Sequence, residues 1–195
     1  MNHTDEIRSF IAIPLPDKIK DTLEEKINDL KRHIPNNSVK WVQVNNIHLT
    51  LKFLGNVQKP VHKDLIQKLE EEHPIQRFSL FLQKLGAFPS IYKPNVIWAG
   101  VSNNEYLVEL SKRVDIISNS LINDLENKPF SPHLTIARIK PGMKKEHFEL
   151  IKQTLFNNRD ISNVEFPVDH YCLYKSTLTS QGAVYSLLHE FKLSG

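Results

Sequence analysis

The spacing of apolar residues over residues 17–34 predicts an amphipathic helix. Asp17 is predicted as its N-cap, and Pro35 is predicted to end it. The apolar stripe consists of Ile19, Leu23, Ile27, Leu30 and Ile34. Similar spacing predicts three more helices, over residues 60–73, 104–125 and 144–156.

Short apolar or alternating runs, bounded by turn-forming residues, predict the β-strands. These runs cover residues 8–15, 39–44, 47–54, 78–87, 95–101, 130–139, 166–175 and 183–192. Strands and helices do not alternate regularly, as they would in a parallel βαβ sheet. The order of elements therefore predicts an α+β fold with antiparallel sheets.

Two of the predicted strands contain the same tripeptide, His-Leu-Thr, at residues 48–50 and 133–135. Composition predicts only about 0.3 His-x-Thr tripeptides by chance, so the two copies indicate an internal duplication. We expect a single domain over residues 1–195, with two lobes related by a pseudo-two-fold axis. Its antiparallel sheets would line a central groove, with helices on the outer faces, and each lobe would contribute one motif to the groove.

Strict strand alternation assigns the residues around each motif to two faces. One face is predicted to line the groove, and the other is predicted to join the core. The predicted groove residues are His48, Thr50 and Lys52 from the first strand and His133, Thr135 and Ala137 from the second. The predicted core residues are Ile47, Leu49, Leu51 and Phe53 from the first strand and Leu134 and Ile136 from the second.

Two histidines that face each other across a groove suit the cleavage of a phosphodiester. Such cleavage needs one proton removed from the attacking oxygen and one given to the leaving oxygen, and histidine does either near neutral pH. In-line displacement puts these two oxygens on opposite sides of phosphorus. Thr50 and Thr135 can each donate a hydrogen bond to a non-bridging oxygen, where negative charge develops.

The residues near the two motifs, together with the glycine pattern of the chain, predict a site without a cofactor or a metal. Neither motif strand has a carboxylate or a second histidine nearby, and six glycines form no nucleotide-binding loop. Asp169 and His170 are predicted as a structural pair, with a functional pair as the alternative. The single cysteine predicts a reducing cytoplasm, and the absence of a signal-like or membrane-spanning run predicts no membrane role. The net charge of +3 is compatible with an anionic substrate, and a monomer is the default expectation.

Several segments together resemble the 2H phosphoesterase superfamily, and within it the RNA 2′,3′-cyclic phosphodiesterase family, also called 2′-5′ RNA ligase. They are RSFIAIPLP at residues 8–16, NIHLTLKFLG at 46–55, VIWAG at 96–100, SPHLTIARIK at 131–140 and YKSTL at 174–178. The resemblance implies a metal-independent enzyme that opens a 2′,3′-cyclic phosphate at an RNA end to leave a 2′-phosphate.

The resemblance also implies residue roles that the symmetric motifs cannot assign. His48 would be the proton donor to the leaving 3′-oxygen, and His133 the base that accepts a proton from water. Arg138 would contact the phosphate, although strict alternation puts it on the core face, so this role requires a bulge or twist. Phe10 would stack on the nucleobase, with core packing as the alternative.

Three functions follow from these features. The first is hydrolysis of RNA 2′,3′-cyclic phosphate ends, and the expected partners are RNA with such ends or small cyclic nucleotides. The second is 2′-5′ RNA ligation, or cleavage of another cyclic nucleotide, in the same groove. The third is a non-enzymatic module that binds RNA ends, which is disfavoured because gripping phosphate calls for Arg and Lys before two histidines.

Overall fold

A computed structural model describes residues 6–73, 75–123, 125, 129–180 and 182–195 of the 195-residue chain. In this part of the chain the helices are α1 (Asp17–His33), α2 (Lys59–Glu71), α3 (Glu105–Leu121) and α4 (Lys145–Asn157). The strands are β1 (Glu6–Pro14), β2 (Val39–Trp41), β3 (His48–Gln58), β4 (Phe78–Ser90), β5 (Lys93–Val101), β6 (His133–Ile139), β7 (Glu165–Val168), β8 (His170–Thr179) and β9 (Gly182–Lys192).

The strands form one antiparallel sheet, with four strands on either side of the boundary between β6 and β3. Its order is β7-β4-β5-β6-β3-β1-β8-β9, and β2 pairs with β6. The two motif strands β3 and β6 are the central neighbours, and they pair at Leu49 and Leu134, the middle residues of the two motifs. The predicted α+β fold with antiparallel pairing and two lobes is confirmed.

The helices bury their apolar stripes against the sheet. In α1 the predicted positions Ile19, Leu23, Ile27 and Leu30 are all buried, and the same core contains Leu49 and Leu134 at 0% exposure. Helix α1 contacts α4, and α2 contacts α3. Burial of this apolar surface is the main favourable contribution to folding, and it holds the motif strands in place from beneath.

Several element boundaries differ from the predictions; β3 continues past residue 54 to Gln58, and β6 begins at His133 instead of residue 130. Pro16, not Asp17, is the N-cap of α1, and Asp17 lies in the first turn, where its carboxylate forms an ion pair with Lys20. The strand predicted over residues 166–175 breaks at Asp169, because β7 pairs with β4 whereas β8 pairs with β1. The extended segment predicted over residues 39–44 ends at Trp41, and a 3-10 turn follows it.

Helix α3 is shorter than predicted, since it ends at Leu121, and part of the remaining prediction lies outside the described residues. Its start is confirmed. The Asn104 side chain accepts a hydrogen bond from the backbone N–H of Leu107, as an N-cap residue does. Among the described helices, none combines the length and the apolar character needed to cross a membrane.

Candidate active site

Each motif strand has a β-bulge directly after its threonine. In β3, Thr50 pairs with Ala12 and Lys52 pairs with Ile11, so Leu51 is an extra residue in the ladder. In β6, Thr135 pairs with Trp98 and Ala137 pairs with Ile97, so Ile136 is the extra residue. One extra residue exchanges the two faces for every position that follows.

The bulges reverse two of the predicted orientations, those of Phe53 and Ala137. Lys52, expected in the groove, lines its His133 side but is only 7% exposed, and its Nζ lies 2.5 Å from the Asp115 carboxylate of α3. Phe53, expected in the core, is 56% exposed and lines the groove. Ala137, expected in the groove, is fully buried opposite Ile97.

The bulge in β6 also determines the position of Arg138. Strict alternation would point this side chain toward the core. With Ile136 as an extra residue, Arg138 is exposed and lines the same groove as His48, Thr50 and Thr135. A phosphate contact by Arg138 requires a bulge in this strand, and the structure contains that bulge.

The groove has two adjoining chambers that share their central residues. The chamber beside His48 has a volume of about 500 Å³, and the chamber beside His133 has a volume of about 850 Å³. The residues that line both chambers are Thr50, Phe53, Thr135 and Arg138. The structure thus brings both motif threonines and Arg138 between the two motif histidines.

The two motif histidines are held in the same way. The Nδ1 atom of His48 lies 2.8 Å from the carbonyl oxygen of Asn46, and that of His133 lies 2.7 Å from the carbonyl oxygen of Ser131. A carbonyl oxygen only accepts hydrogen bonds, so Nδ1 is the protonated nitrogen in both rings. In each neutral ring, Nε2 is left with a lone pair that can accept a proton from a group in the groove.

Aromatic rings pack against His48 on two sides. Its ring stacks on Phe10 at a centroid distance of 4.7 Å, and Tyr185 meets it edge-on at 5.3 Å. Burial, with a smaller contribution from the nearby His133, lowers the pKa of His48 from 6.5 to about 4, although the bond to the Asn46 carbonyl opposes the shift. In the free protein His48 is therefore neutral at pH 7.

Phe10 supports His48 from beneath. It is 3% exposed, and its ring stacks on His48 and, at 5.4 Å, on Tyr174. These contacts leave little ring surface for a nucleobase, so of the two alternatives for Phe10, packing agrees better with its burial. Phe53, whose ring centroid lies 6.2 Å from that of Phe10, is the aromatic residue with free surface in the groove.

His133 has an aromatic neighbourhood of its own. Phe88 meets its ring edge-on at 4.9 Å, and Trp98 lies at 6.4 Å. The Trp98 ring lies over Gly86 of the neighbouring strand, where a Cβ atom would come within 2.2 Å of the indole. Only glycine at position 86 therefore leaves room for the Trp98 ring next to His133.

The His48 chamber has a positive lining. Arg8 and Arg138 both line it, and their charges act on Tyr185, although burial is the larger effect and raises the pKa of that phenol. Among the described residues that line this chamber, none carries a carboxylate. The same described residues offer no carboxylate or thiol that would join both motif histidines in a metal site. This lining suits an anionic substrate.

Comparisons with known proteins agree with this geometry. The family model described as LigT like Phosphoesterase matches the chain twice, over residues 13–98 and 101–185, so each match contains one His-Leu-Thr motif. The RNA 2′,3′-cyclic phosphodiesterase of Methanocaldococcus jannaschii is 34% identical over 95% of this chain and 100% of its own length. The protein of the same name from Aquifex aeolicus is 32% identical, over 97% of this chain and 98% of its own length.

Solved structures share the fold over nearly the whole chain. TT0787 of Thermus thermophilus superimposes with a TM-score of 0.77 at 27% identity, covering 96% of this chain and 98% of its own. Escherichia coli LigT superimposes with a TM-score of 0.79 at 24% identity, covering 97% and 99%. The double family match and the full-length relatives lead to one conclusion: the chain belongs to the LigT-like phosphoesterase family and is an enzyme of that class.

Proposed function

We propose that this enzyme hydrolyses the 2′,3′-cyclic phosphate at an RNA end to a 2′-phosphate, by acid–base catalysis with two histidines and no metal. One observation carries the proposal: His48 and His133, each with Nδ1 bonded to a backbone carbonyl, line one groove with Thr50 and Thr135. The names of the relatives from M. jannaschii and A. aeolicus support the substrate class.

In the proposed reaction, His133 Nε2 takes a proton from a water molecule, and the water oxygen attacks phosphorus. The bond between phosphorus and the 3′-oxygen breaks on the opposite side, and His48 gives its proton to that oxygen. The products are a 3′-hydroxyl and a 2′-phosphate. His133 ends protonated and His48 neutral, and proton exchange with water restores the starting state.

Thr50, Thr135 and Arg138 stabilise the charge that develops during attack. The three side chains line both chambers of the groove, where each hydroxyl can donate to a non-bridging phosphate oxygen. The Arg138 guanidinium can donate two parallel hydrogen bonds to the same phosphate. These groups are fixed by the strands before substrate arrives, which makes their stabilisation of the transition state effective.

The proton on His48 is coupled to substrate binding. A proton donor must be charged, yet burial lowers the pKa of His48 to about 4 in the free enzyme. A bound phosphate anion beside the ring favours the imidazolium and so raises this pKa. Substrate therefore brings about the protonation that the donor needs, whereas His133 acts from the neutral form.

The test is product analysis on a nucleoside 2′,3′-cyclic phosphate and on an RNA oligonucleotide with the same end, both with excess EDTA. We expect a 2′-phosphate from wild type and a loss of turnover in His48→Ala and His133→Ala. His33→Ala, an exposed change at the end of α1, is the matched control. A 3′-phosphate product, or unchanged turnover in either motif variant, would reject the proposal.

The same experiment separates the alternatives. Joined RNA fragments in place of free 2′-phosphate would indicate 2′-5′ ligation, and binding without turnover would indicate an RNA-end-binding module. We also propose that the chain acts as one domain and as a monomer in the cytoplasm. Size-exclusion chromatography with light scattering tests the monomer, and a dimer mass would contradict it.

A further inference from the structure

Three potential metal ligands converge outside the phosphate groove, on strands β8 and β9. His170 and Cys172 are two residues apart on β8, so their side chains lie on the same face. Glu190 of β9 is the ladder partner of Cys172. A ring nitrogen of His170, the Cys172 Sγ and a carboxylate oxygen of Glu190 all lie within 4.8 Å of one another.

We propose that these residues bind a divalent transition-metal ion of the Zn²⁺ type. Imidazole, thiolate and carboxylate are the three donor types that zinc takes in proteins, and three protein ligands leave a fourth position for water. Bonds of about 2.0–2.3 Å in a tetrahedron require donor atoms roughly 3.3–3.8 Å apart. Since the three donors lie within 4.8 Å of one another, they need to approach by at most about 1–1.5 Å. Rotation of the exposed Glu190 and partly exposed His170 side chains can cover this distance.

Two ligands already have the outer partners that a metal site requires. The Asp169 carboxylate accepts a hydrogen bond from His170 Nδ1, which leaves Nε2 for the ion. This carboxylate–histidine arrangement is the usual support of a metal-bound histidine. Tyr174 follows Cys172 by two residues on the same face of β8, where its hydroxyl can donate a hydrogen bond to a thiolate. In this proposal Asp169 and His170, predicted as a structural pair, act as an orienting carboxylate and a metal ligand.

The site is close to the groove without being part of it. Cys172 pairs with Ala12 of β1, and Ala12 pairs with Thr50 of β3, so one strand separates the cluster from the motif. The proposed hydrolysis does not use the ion. Activity in EDTA and binding of a metal ion can therefore each be present without the other. On binding, the Cys172 thiol releases its proton to solvent, and the thiolate bonds to the metal.

The ion would hold β9, an edge strand of the sheet, to its neighbour β8. Strand β9 pairs only with β8 among the described strands, and it carries Tyr185, which lines the His48 chamber. A metal held by both strands would stabilise the folded state by binding it and not the unfolded chain. The melting temperature should therefore rise when Zn²⁺ is added to metal-free protein.

The experiment is a Co²⁺ titration of the full chain, stripped with EDTA and kept reduced without thiols. Cys172 is the only cysteine, so a thiolate-to-cobalt charge-transfer band must come from this residue. We expect the band in wild type, its displacement by Zn²⁺, and its loss in Cys172→Ser. His170→Ala and Glu190→Gln should weaken binding by roughly tenfold or more.

His189→Ala is the matched control, because His189 is next to Glu190 in sequence but bonds to Glu70 instead. Its Co²⁺ affinity should equal that of wild type. The absence of a band in folded wild type would overturn the proposal. Unchanged affinity in both His170→Ala and Glu190→Gln would also overturn it, because cysteine alone would then hold the ion. Since His170 and Glu190 are partly or fully exposed, these variants remain informative if Cys172→Ser fails to fold.

Discussion

Phe53 and Arg138 occupy equivalent positions in the two halves of the molecule. Each follows the motif histidine of its strand by five residues, and each faces the groove because one bulge precedes it. The histidines and threonines are the same in both halves, but this position differs. One lobe presents an exposed aromatic ring, and the other presents a guanidinium, so the groove is symmetric in its histidines and threonines but asymmetric at this position.

Replacement of Phe53 by alanine should raise the KM for a cyclic nucleotide by about tenfold, with little change in kcat. The reason is that an exposed ring in the groove can stack on an unpaired base, which contributes about 1–3 kcal/mol. Steady-state kinetics on pyrimidine and purine 2′,3′-cyclic phosphates measure the effect. Phe156→Ala, an equally exposed change on α4, is the control. An unchanged KM would show that Phe53 does not contact the base.

Replacement of Arg138 by methionine should lower kcat/KM by about a hundredfold. A bidentate guanidinium–phosphate contact contributes about 3 kcal/mol. Arg138→Lys should recover only part of the loss, because a single ammonium cannot reproduce two parallel donors. Arg32→Met on the outer face of α1 serves as the control. Full activity in Arg138→Lys would argue for a simple charge effect.

Valine at Thr50 or Thr135 should lower kcat by roughly a hundredfold to a thousandfold and leave KM nearly unchanged. Valine keeps the shape of threonine but removes the donor that stabilises the developing oxyanion. Single-turnover rates and circular dichroism together separate this loss from misfolding. Thr22→Val, at an exposed position of α1, should behave as wild type. A rise in KM without a fall in kcat would assign the hydroxyls to ground-state binding instead.

The stability of the free enzyme should fall as pH drops from about 6.5 to about 4. His48 gains a proton near pH 6.5 when unfolded but only near pH 4 when folded, so the unfolded chain binds more protons within this window. Its contribution to stability is therefore fully present above pH 6.5, and its loss on acidification amounts to about 3 kcal/mol.

His48→Gln should remove this dependence, since glutamine does not titrate and its amide can still donate to the Asn46 carbonyl. The measurement is urea unfolding of wild type and variant at pH 7.5 and pH 4.5. The difference between the two proteins cancels the other titrating groups. The exposed variant His33→Gln should retain the wild-type dependence. If wild type and His48→Gln lost the same free energy of unfolding between pH 7.5 and pH 4.5, burial would not be the cause of the lowered pKa.

The helices, most strands and the paired motifs could be predicted from the sequence because they follow from periodicity. The stripe of α1 repeats every three to four residues, and the motif strands alternate up to Thr50 and Thr135. The family resemblance added Arg138. These signals are local or come from matched motifs, so they do not depend on how strands pair.

The orientation of Phe53 and Ala137 could not be predicted, because the bulge residues Leu51 and Ile136 are ordinary strand formers. No glycine or proline marks either bulge, and the apolar pattern of residues 47–54 fits regular alternation as well as it fits the bulged strand. The converging side chains of His170, Cys172 and Glu190 depend on the register between β8 and β9. Register is set by the whole sheet and not by any one strand.

The backbone carbonyls that hold His48 and His133 have a consequence for the direction of the reaction. Each Nδ1 proton is held by a neutral backbone carbonyl, so in both rings the same atom, Nε2, is left to give or receive a proton. A ribose hydroxyl can take the place of the attacking water, because either nucleophile loses one proton to the base while the leaving 3′-oxygen gains one. On the proposed mechanism, water and a second RNA end would then compete as nucleophiles, and their local concentrations would decide between cleavage and joining.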